Sequence, residues 1–256
     1  MHLAASAPST TPALAMTMNK KEIAHLESIN AFYEKGDYMD RLMIEREMEI
    51  IARYAKPHAR ALEVGCGDGY STERLLPIFP TMEVVEPSTK NIELLHRRLP
   101  DLPVHNALLE DFQTDKRYDR ILFLNVIEHV EDPVASLVQL SRLLRDEGLI
   151  FITAPNCMSL NRRAGFEMGL LPTYEQMAPK DIEVGHRRLY TVDMMRDHCE
   201  QAGLKVLEMK GLYLKPLSER QMIELGDAAV RAFHQLGEDT PQYCASLLAI
   251  ATKKYY

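Results

Sequence analysis

The stretch Ala61-Leu62-Glu63-Val64-Gly65-Cys66-Gly67-Asp68-Gly69 decides the fold of this chain. A short apolar strand is predicted at Ala61–Val64, and helical spacing resumes at Ser71–Ile78. Glycines between the two allow positive φ and let the backbone come close to a ligand. The start of the following helix offers free N–H groups and the positive end of a dipole. The stretch therefore predicts a strand–loop–helix unit with a binding loop at Glu63–Gly69.

Strands and helices alternate in a regular way beyond this unit. Further strands are predicted at Met82–Val85, Val104-His105, Ile121–Leu124 and Leu149–Thr153, and helices at Ser88–Arg98 and Pro133–Leu144. Such alternation implies right-handed crossovers and a parallel sheet covered on both faces. We therefore expect an α/β fold with a doubly wound, Rossmann-like, mostly parallel sheet. Two late strands, at Lys205–Met209 and Ser246–Thr252, flank a predicted helix at Glu219–Phe233 and suit an antiparallel edge.

Five parts of the chain are distinguished by pattern. They are a disordered tail at 1–19, an N-terminal helical cap at 20–57, a ligand-binding Rossmann-like core at 58–156, an inserted lid at 157–190, and the C-terminal part of the core at 191–256. The tail is rich in Ala, Ser, Thr and Pro and lacks the basic segment of a secretory signal. Asn156–Gly185 has no clean period, which indicates an insertion over the sheet edge.

Composition and charge exclude several classes of binding partner. The net charge of −7 argues against long stretches of bound nucleic acid, which need a basic face. Four widely spaced cysteines without a C-x-x-C pair suggest neither zinc nor disulfides, and they fit a reducing cytosol. No apolar run approaches the roughly 18 residues of a membrane span. We expect a cytoplasmic protein with no metal, no nucleic-acid partner and no membrane segment, and the oligomeric state stays open, with a homodimer as one option.

The spacing in the loop distinguishes between cofactors. A dinucleotide-binding loop has G-x-G-x-x-G/A, but here Tyr70 occupies the third place and is too large for that close packing. Glu86 ends the second strand, where a carboxylate can accept both ribose hydroxyls of an adenosine. Asp111 follows the third strand and is a candidate for the adenine amino group. Glu63 is a candidate for orienting the amino end of an amino acid.

Together these segments resemble the class I S-adenosylmethionine (SAM)-dependent methyltransferases. The resemblance is carried by E-V-G-C-G-D-G at 63–69, V-V-E-P-S at 84–88, L-E-D-F at 109–112, Y-D-R-I-L-F-L-N-V-I-E-H-V at 118–130 and L-R-D-E-G-L-I-F-I-T-A-P-N at 144–156. It implies a seven-stranded sheet of the methyltransferase type, SAM as cofactor and S-adenosylhomocysteine (SAH) as product. It also implies cofactor contacts from Glu63, Gly65, Cys66, Gly67, Gly69, Glu86, Pro87, Glu110, Asp111, Phe112, Asn125 and Val126.

Two segments are candidates for the acceptor side. His129 follows the fourth strand and is a candidate general base with a near-neutral pKa, although packing at a helix entry is the alternative. The run Gly185–Thr191 resembles a segment after strand five in small-molecule methyltransferases of the ubiquinone-biosynthesis type. His186, a second catalytic candidate, and Arg187 or Arg188 can hold a carboxylate, phosphate or sulfate. The alternative is that an arginine pairs with an acid across the lid and the histidine caps a helix.

Aromatic side chains complete the predicted acceptor pocket. Further substrate-binding candidates are Tyr33, Tyr38, Tyr174 and Tyr190, although each residue of this kind is more often part of the core. Because the lid is basic, the acceptor is expected to be a small anionic metabolite, methylated on oxygen or nitrogen in a natural-product or glycan pathway.

Three other activities remain open at this point. One is an enzyme that consumes SAM by intramolecular cyclisation or lysis and releases methylthioadenosine. Another is an RNA or protein methyltransferase or a SAM-binding regulator, although the acidic charge and the absence of an N-P-P-Y-type tetrad at Leu124–Ile127 disfavour RNA bases. The third is an NAD(P) enzyme, which Tyr70 and the L-E-D-F segment disfavour.

Overall fold

The computed structural model describes residues 22–24, 27 and 38–254, so the predicted tail and Tyr33 lie outside the described residues. Its seven strands are β1 Arg60–Val64, β2 Thr81–Val85, β3 Val104–His105, β4 Tyr118–Leu124, β5 Leu144–Pro155, β6 Leu204–Leu214 and β7 Cys244–Lys253. They form one sheet in the order β3-β2-β1-β4-β5-β7-β6. Strands β1 to β5 pair in parallel, whereas β7 is antiparallel to both β5 and β6. The predicted α/β, mostly parallel sheet with an antiparallel edge is confirmed.

Nine α-helices accompany the strands within residues 38–254. They are α1 Tyr38–Ala52, α2 Tyr70–Leu75, α3 Thr89–Arg98, α4 Pro133–Leu143, α5 Leu160–Glu167, α6 Pro179–Glu183, α7 Val192–Gln201, α8 Glu219–Glu224 and α9 Asp227–Gly237. One predicted helix was wrong in its length: the segment expected as a single helix at Glu219–Phe233 is broken into α8 and α9. Gly226 lies between them with φ of +82°, which is outside the helical region and is readily adopted only by glycine.

The core lies on both faces of the sheet. In β4, Ile121 and Phe123 belong to the larger hydrophobic cluster, whereas Leu122 and Leu124 belong to the cluster on the other face. A central parallel strand is apolar on both faces because helices cover both. This packing fixes the carboxyl ends of β1, β2 and β4 at one edge, next to the predicted binding loop. No helix in the described part of the chain is both long and apolar enough to cross a membrane.

Helix α1 brings the N-terminal part of the chain to the same edge. It contacts α2 and β6, and Tyr70 of α2 links the two helices through its hydroxyl, which donates to Glu45 at 3.3 Å. The guanidinium of Arg74 lies 3.3 Å from the Tyr70 ring centroid, and that of Arg41 lies 4.7 Å away. The bulky residue that breaks the dinucleotide pattern therefore holds α1 beside the loop. The division of the chain into five parts stays a prediction.

Candidate active site

A cleft of ≈210 Å³ opens at the carboxyl ends of β1, β2 and β4. It is lined by Ile44, Glu63, Gly65, Cys66, Gly67, Asp68, Ser71, Glu86, Pro87, Asn91, Leu124, Asn125, Val126 and His129. Three of these residues are acidic, and none is lysine or arginine. Crevices at this edge are where open α/β sheets bind ligands. The cleft brings together most of the predicted cofactor residues and one predicted catalytic residue, His129.

The glycine loop comes very close to the next strand-end segment. Gly65 has φ of +79°, and a Cβ placed there would lie 2.7 Å from Cγ2 of Val126. Gly69 has φ of +80°, and its Cβ would lie 2.9 Å from Cδ1 of Leu95. A side chain at either position would therefore combine backbone strain with a steric overlap. Gly69 is not among the lining residues, and its role is to start α2 at the correct angle.

Glu86 fixes the loop against β2. Its Oε2 accepts a hydrogen bond from the Cys66 N–H at 3.0 Å, while Oε1 accepts from the Ser88 N–H at 2.9 Å and from Nδ2 of Asn91 at 3.1 Å. Burial raises the pKa of Glu86, and these donors oppose that rise. The carboxylate lines the cleft, so it is placed where the sequence predicts the ribose contact.

Glu63 presents an unpaired atom to the cleft. The side chain is 1% exposed, and its Oε2 is buried without a hydrogen-bond partner. Burial raises the pKa of Glu63 to about 8, and the nearby carboxylates of Glu86 and Glu47 raise it as well. A buried acceptor of this kind is costly until a donor reaches it. The ammonium group of an amino acid would supply that donor, so the residues present fit SAM.

Asn125 forms the floor of the cleft in a strained conformation. Its φ is +53°, in the left-handed region that asparagine tolerates better than most residues. Its N–H donates to the backbone oxygen of Thr153 at 3.2 Å and to the hydroxyl of Thr153 at 2.9 Å. Strain of this kind persists where the surrounding structure holds it, often at functional sites.

Glu47 of α1 lies below this floor and was missed by sequence reasoning. It is 2% exposed, and its Oε1 has no hydrogen-bond partner. Burial raises the pKa of Glu47 to about 8; a hydrogen bond from Thr153 opposes the rise, and Glu128 adds to it. A signal was present: Glu47 follows Ile44 by three residues and precedes Ile51 by four, so it stands within the apolar stripe of its helix.

Glu128, His129 and His186 form one group, of which His129 lines the cleft. One ligand atom from each lies within 4.8 Å of the others, and the two imidazole rings meet edge to face with centroids 4.9 Å apart. His186 Nε2 lies 3.8 Å from Glu128, and its Nδ1 lies 3.3 Å from Asp181. Such a group can pass a proton, and it has the composition of a divalent-metal site. The sequence predicted no metal, because these residues lie in two distant segments.

Burial sets the proton affinity of this group. Glu128 is 1% exposed, and burial raises its pKa to about 7, although His186 and Arg188 act in the opposite direction. The pKa of Asp181 is lowered: burial acts against ionisation there, but hydrogen bonds from His186 and the Ala178 N–H outweigh it. His186 therefore lies between a carboxylate that is ionised and one that titrates near neutrality.

The arginines of the lid are engaged with the protein itself. The Arg188 guanidinium donates to the carbonyl oxygens of Ile127, Val130 and Glu131. Arg187 donates to the carbonyl of His129 and to the carboxylate of Glu22, both at 2.6 Å. Neither side chain is among the residues that line the cleft, and their role in substrate binding stays a prediction. The alternative reading, an arginine paired with an acid across the lid, describes Arg187.

The tyrosines predicted to bind substrate also lie elsewhere. Tyr38 is 45% exposed and donates to Asp227 at 2.5 Å. Tyr190 is fully buried in the larger hydrophobic cluster, and Tyr174 packs on Phe166 with ring centroids 4.4 Å apart. None of the three is among the residues that line the cleft, and their role in substrate binding stays a prediction.

The L-E-D-F segment forms a 3-10 helix after β3, and none of its residues is among those that line the cleft. Glu110 and Asp111 are exposed, and Phe112 is buried in the core, with its ring 5.0 Å from that of His105. These three predicted adenine contacts lie outside the lining residues, and they stay predictions. Thr191, at the end of the Gly185–Thr191 run, caps α7, because its hydroxyl accepts from the Met194 N–H at 3.1 Å.

Replacing Arg188 by lysine is expected to loosen the lid. A lysine has no planar fork, so it cannot keep three carbonyl bonds in different directions. Loss of two bonds at about 1 kcal/mol each raises the open population by at least about tenfold. Limited thermolysin digestion should therefore cut within 160–185 faster in the variant. Arg220→Lys, on exposed α8, serves as the control, and equal cleavage rates in all three proteins would contradict the expectation.

Comparison with known proteins agrees with this geometry. The Methyltransferase domain family matches residues 37–209. The ubiquinone biosynthesis O-methyltransferase of Dinoroseobacter shibae is 27% identical over 179 residues, covering 67% of this chain and 70% of the relative.

Among solved structures, a SAM-dependent methyltransferase from Thermotoga maritima has a TM-score of 0.62 at 19% identity, covering 91% of this chain and 100% of its own. The N-methyltransferase NodS from Bradyrhizobium japonicum, bound to SAH, has a TM-score of 0.60 at 14% identity, covering 91% and 99%. These likenesses show the fold. The chain therefore belongs to the Methyltransferase domain family, and it is a SAM-dependent methyltransferase.

Proposed function

We propose that this enzyme transfers the methyl group of SAM to a small molecule that enters between α1 and the lid, and that His129 accepts the proton released by the acceptor. The observation that carries the proposal is the position of His129, which lines the cleft and contacts the buried group at Glu128 and His186. Relatives named for ubiquinone biosynthesis support a small-molecule acceptor.

The cofactor half of the cleft would hold SAM through residues of the glycine loop and β2. Glu63 would accept hydrogen bonds from the amino group, Glu86 from the ribose, and the backbone of Gly65 and Gly67 would face the chain between them. Bound SAM supplies an electrophilic methyl group on a sulfonium. Asn125 and Val126 would hold the floor in place, which matters because displacement requires an in-line approach of the nucleophile.

On the acceptor side, His129 is held so that one nitrogen is fixed by the protein. Its Nδ1 lies 3.2 Å from the carbonyl oxygen of Gly185. When Nδ1 is protonated and donates to this oxygen, Nε2 is the basic nitrogen. Glu128 beside it stabilises the imidazolium that forms. We propose that His186 is a positioning residue that acts through Glu128, because it lies 3.8 Å from that carboxylate.

The charge of the acceptor must be reconsidered. Arg187 and Arg188 were the reason to expect an anion, and their guanidinium groups are engaged with Glu22 and with backbone carbonyls. A carboxylate or phosphate entering the lid would have to displace these bonds. The proposal therefore keeps methyl transfer to a small molecule and leaves out a requirement for an anionic group.

Replacing His129 by alanine is expected to lower kcat by about 100-fold or more, because a general base contributes on that order. SAH release in the presence of SAM and an acceptor from a small-molecule panel measures turnover, and calorimetry with SAH measures cofactor affinity. SAH affinity should stay within about threefold, since the base is not needed to hold the cofactor. His96→Ala, on exposed α3, is the matched control.

Two outcomes would overturn the proposal. If the alanine variant turned over as fast as the native enzyme, His129 would not act as a base. If native enzyme released methylthioadenosine from SAM without any acceptor, as mass spectrometry would show, the reaction would be cyclisation or lysis and not methyl transfer.

A further inference from the structure

Asn125, on the floor of the cleft, has a backbone conformation that needs support. Its φ of +53° lies in the left-handed region, which few residues other than glycine adopt. The Asn125 N–H donates to the backbone oxygen of Thr153 at 3.2 Å and to the Thr153 hydroxyl at 2.9 Å. The shorter of these two bonds is made to a side chain, so whatever orients that side chain also holds the floor of the cleft.

The Thr153 hydroxyl is fully buried and uses both its acceptor and its donor. Its oxygen accepts from the Asn125 N–H, and its proton is donated to the carboxyl group of Glu47. A hydroxyl has a single proton, so a proton fixed on Glu47 leaves the oxygen lone pairs for the Asn125 N–H. A carboxyl group offers an acceptor oxygen whether or not it is protonated. The arrangement therefore does not depend on the charge of Glu47.

Packing on one face of the sheet brings Glu47 to this hydroxyl. Thr153 follows Phe151 by two residues in β5, so both side chains point to the same face. Phe151 belongs to the hydrophobic cluster that also contains Met48 and Ile51 of α1. Helix α1 therefore packs on the face to which Thr153 points. Glu47 directly precedes Met48 and is only 2% exposed, so α1 presents a buried acceptor at that face.

The same helix forms a wall of the cleft. Ile44 of α1 lines the cleft together with Asn125. Ile44 precedes Glu47 by three residues, so the two side chains are neighbours on the surface of the helix. Through Ile44 the helix reaches the cavity directly, and through Glu47 and Thr153 it reaches the floor by hydrogen bonds. A displacement of α1 would therefore change the wall and the floor together.

We infer that Glu47 and Thr153 are positioning residues for the cofactor, which act as one unit by connecting α1 to the Asn125 N–H through two consecutive hydrogen bonds. The inference rests on the proposed function, in which Asn125 holds the floor beneath SAM. It gives a role to Glu47, which is not among the residues that line the cleft. Two groups that act through one another lose their effect together, whereas the effects of independent groups add.

A double-mutant cycle, measured by calorimetry with SAH, tests the connection. Thr153→Val removes the hydroxyl and keeps the shape of the side chain, and Glu47→Leu removes the acceptor. Each variant is expected to bind SAH at least about tenfold more weakly, a difference of about 1.4 kcal/mol. The double variant should be within about threefold of the weaker single variant, because the second change removes a connection that is already broken. Native affinity in either single variant, or a loss of about 100-fold in the double variant, would overturn the inference.

Conservative variants separate positioning from folding. Thr153→Ser keeps the hydroxyl and Glu47→Gln keeps an acceptor oxygen, so both should bind SAH within about threefold of the native enzyme. A tenfold loss of affinity in both of these variants would overturn the inference.

Thr252→Val is the matched control for the loss of a hydroxyl. The Thr252 hydroxyl donates to the carbonyl oxygen of Gly148 at 2.8 Å, five residues before Thr153 in β5. Chemical denaturation should show a lower free energy of unfolding for this variant, while its SAH affinity stays native. An equal loss of affinity in the control would mean that stability alone sets SAH binding, and would overturn the inference. Failure of the native enzyme to bind SAH would instead overturn the proposed function, so the two failures are distinguishable.

Discussion

Gly65→Ala is expected to abolish SAM binding, with a loss of at least about 100-fold in affinity. The new Cβ would lie 2.7 Å from Cγ2 of Val126, which itself lines the cleft. Relief of the overlap must move either the loop or the β4 end segment, and both carry proposed cofactor contacts. Misplacement of about 1 Å in such a site costs on the order of 100-fold.

The matched control for this variant is Gly203→Ala. Gly203 has a similar φ of +73°, but a Cβ there meets nothing within 4 Å. Both variants carry the strain of a left-handed alanine, about 1–2 kcal/mol, and only one carries the overlap. Calorimetry with SAH should give native affinity for the control. Native affinity in Gly65→Ala would mean that the loop does not hold the cofactor in the way described.

The free protein is expected to lose stability as the pH rises from 6.5 to 8.5. Burial raises the pKa of Glu47 and Glu63 to about 8 and that of Glu128 to about 7. Between the ordinary carboxyl pKa of 4.5 and these values, the folded state binds a proton that the unfolded state has lost. The stability that these three acids contribute is therefore full below pH 4.5, falls as the pH rises from 4.5 to between 7 and 8, and is constant above that. Each pH unit over which the folded state keeps the extra proton corresponds to about 1.4 kcal/mol, so Glu47 or Glu63 alone lowers the free energy of unfolding by about 2 kcal/mol between pH 6.5 and 8.

A buried histidine sets the lower limit of the pH range in which the three acids alone determine how stability changes. Burial lowers the pKa of His234 to about 4, so its folded form stays neutral while the unfolded chain takes up a proton below about 6.5. This group makes stability rise with pH up to 6.5 and opposes the three acids there. Above 6.5 its effect has ended, and the acids act alone among these four groups.

Chemical denaturation at half-unit pH intervals measures how the free energy of unfolding changes with pH. Glu47→Gln, Glu63→Gln and Glu128→Gln should each flatten this dependence, because an amide does not titrate, and Glu93→Gln should leave it unchanged. A free energy of unfolding that stays constant from pH 6.5 to 8.5 would contradict burial of all three acids in their ionisable form.

Local spacing was enough to predict that the proposed cofactor residues come together. The glycine loop, the end of β2 and Asn125 each lie within a few residues of a strand end, and parallel strand ends meet at one edge. The sequence therefore contained both the identity of these residues and the reason for their convergence. The fold class followed from the same alternation of strands and helices.

The acceptor side depends on contacts between distant segments. Arg188 donates to carbonyls 57 to 61 residues away, and a basic residue in a lid gives no sign of whether it faces a ligand or the backbone. Glu47 lies between two other glutamates, Glu45 and Glu49, whose side chains remain at least partly exposed. Only the placement of α1 against α2 and the sheet separates these acids, and helix placement is a tertiary property.

The position of β7 between β5 and β6 has a consequence for synthesis. In the sheet, β6 pairs with β7 alone, and β5 has β7 as one of its two partners. The ribosome synthesises β6 some thirty residues before β7. Until β7 is made, β5 and β6 each have an unpaired strand edge. Thr153, which anchors Asn125, gains its cross-strand partner Leu248 only then. The Asn125 segment is thus among the last parts of the described chain to reach its final packing, and nascent protein halted before β7 should be a client of chaperones that cover exposed strand edges.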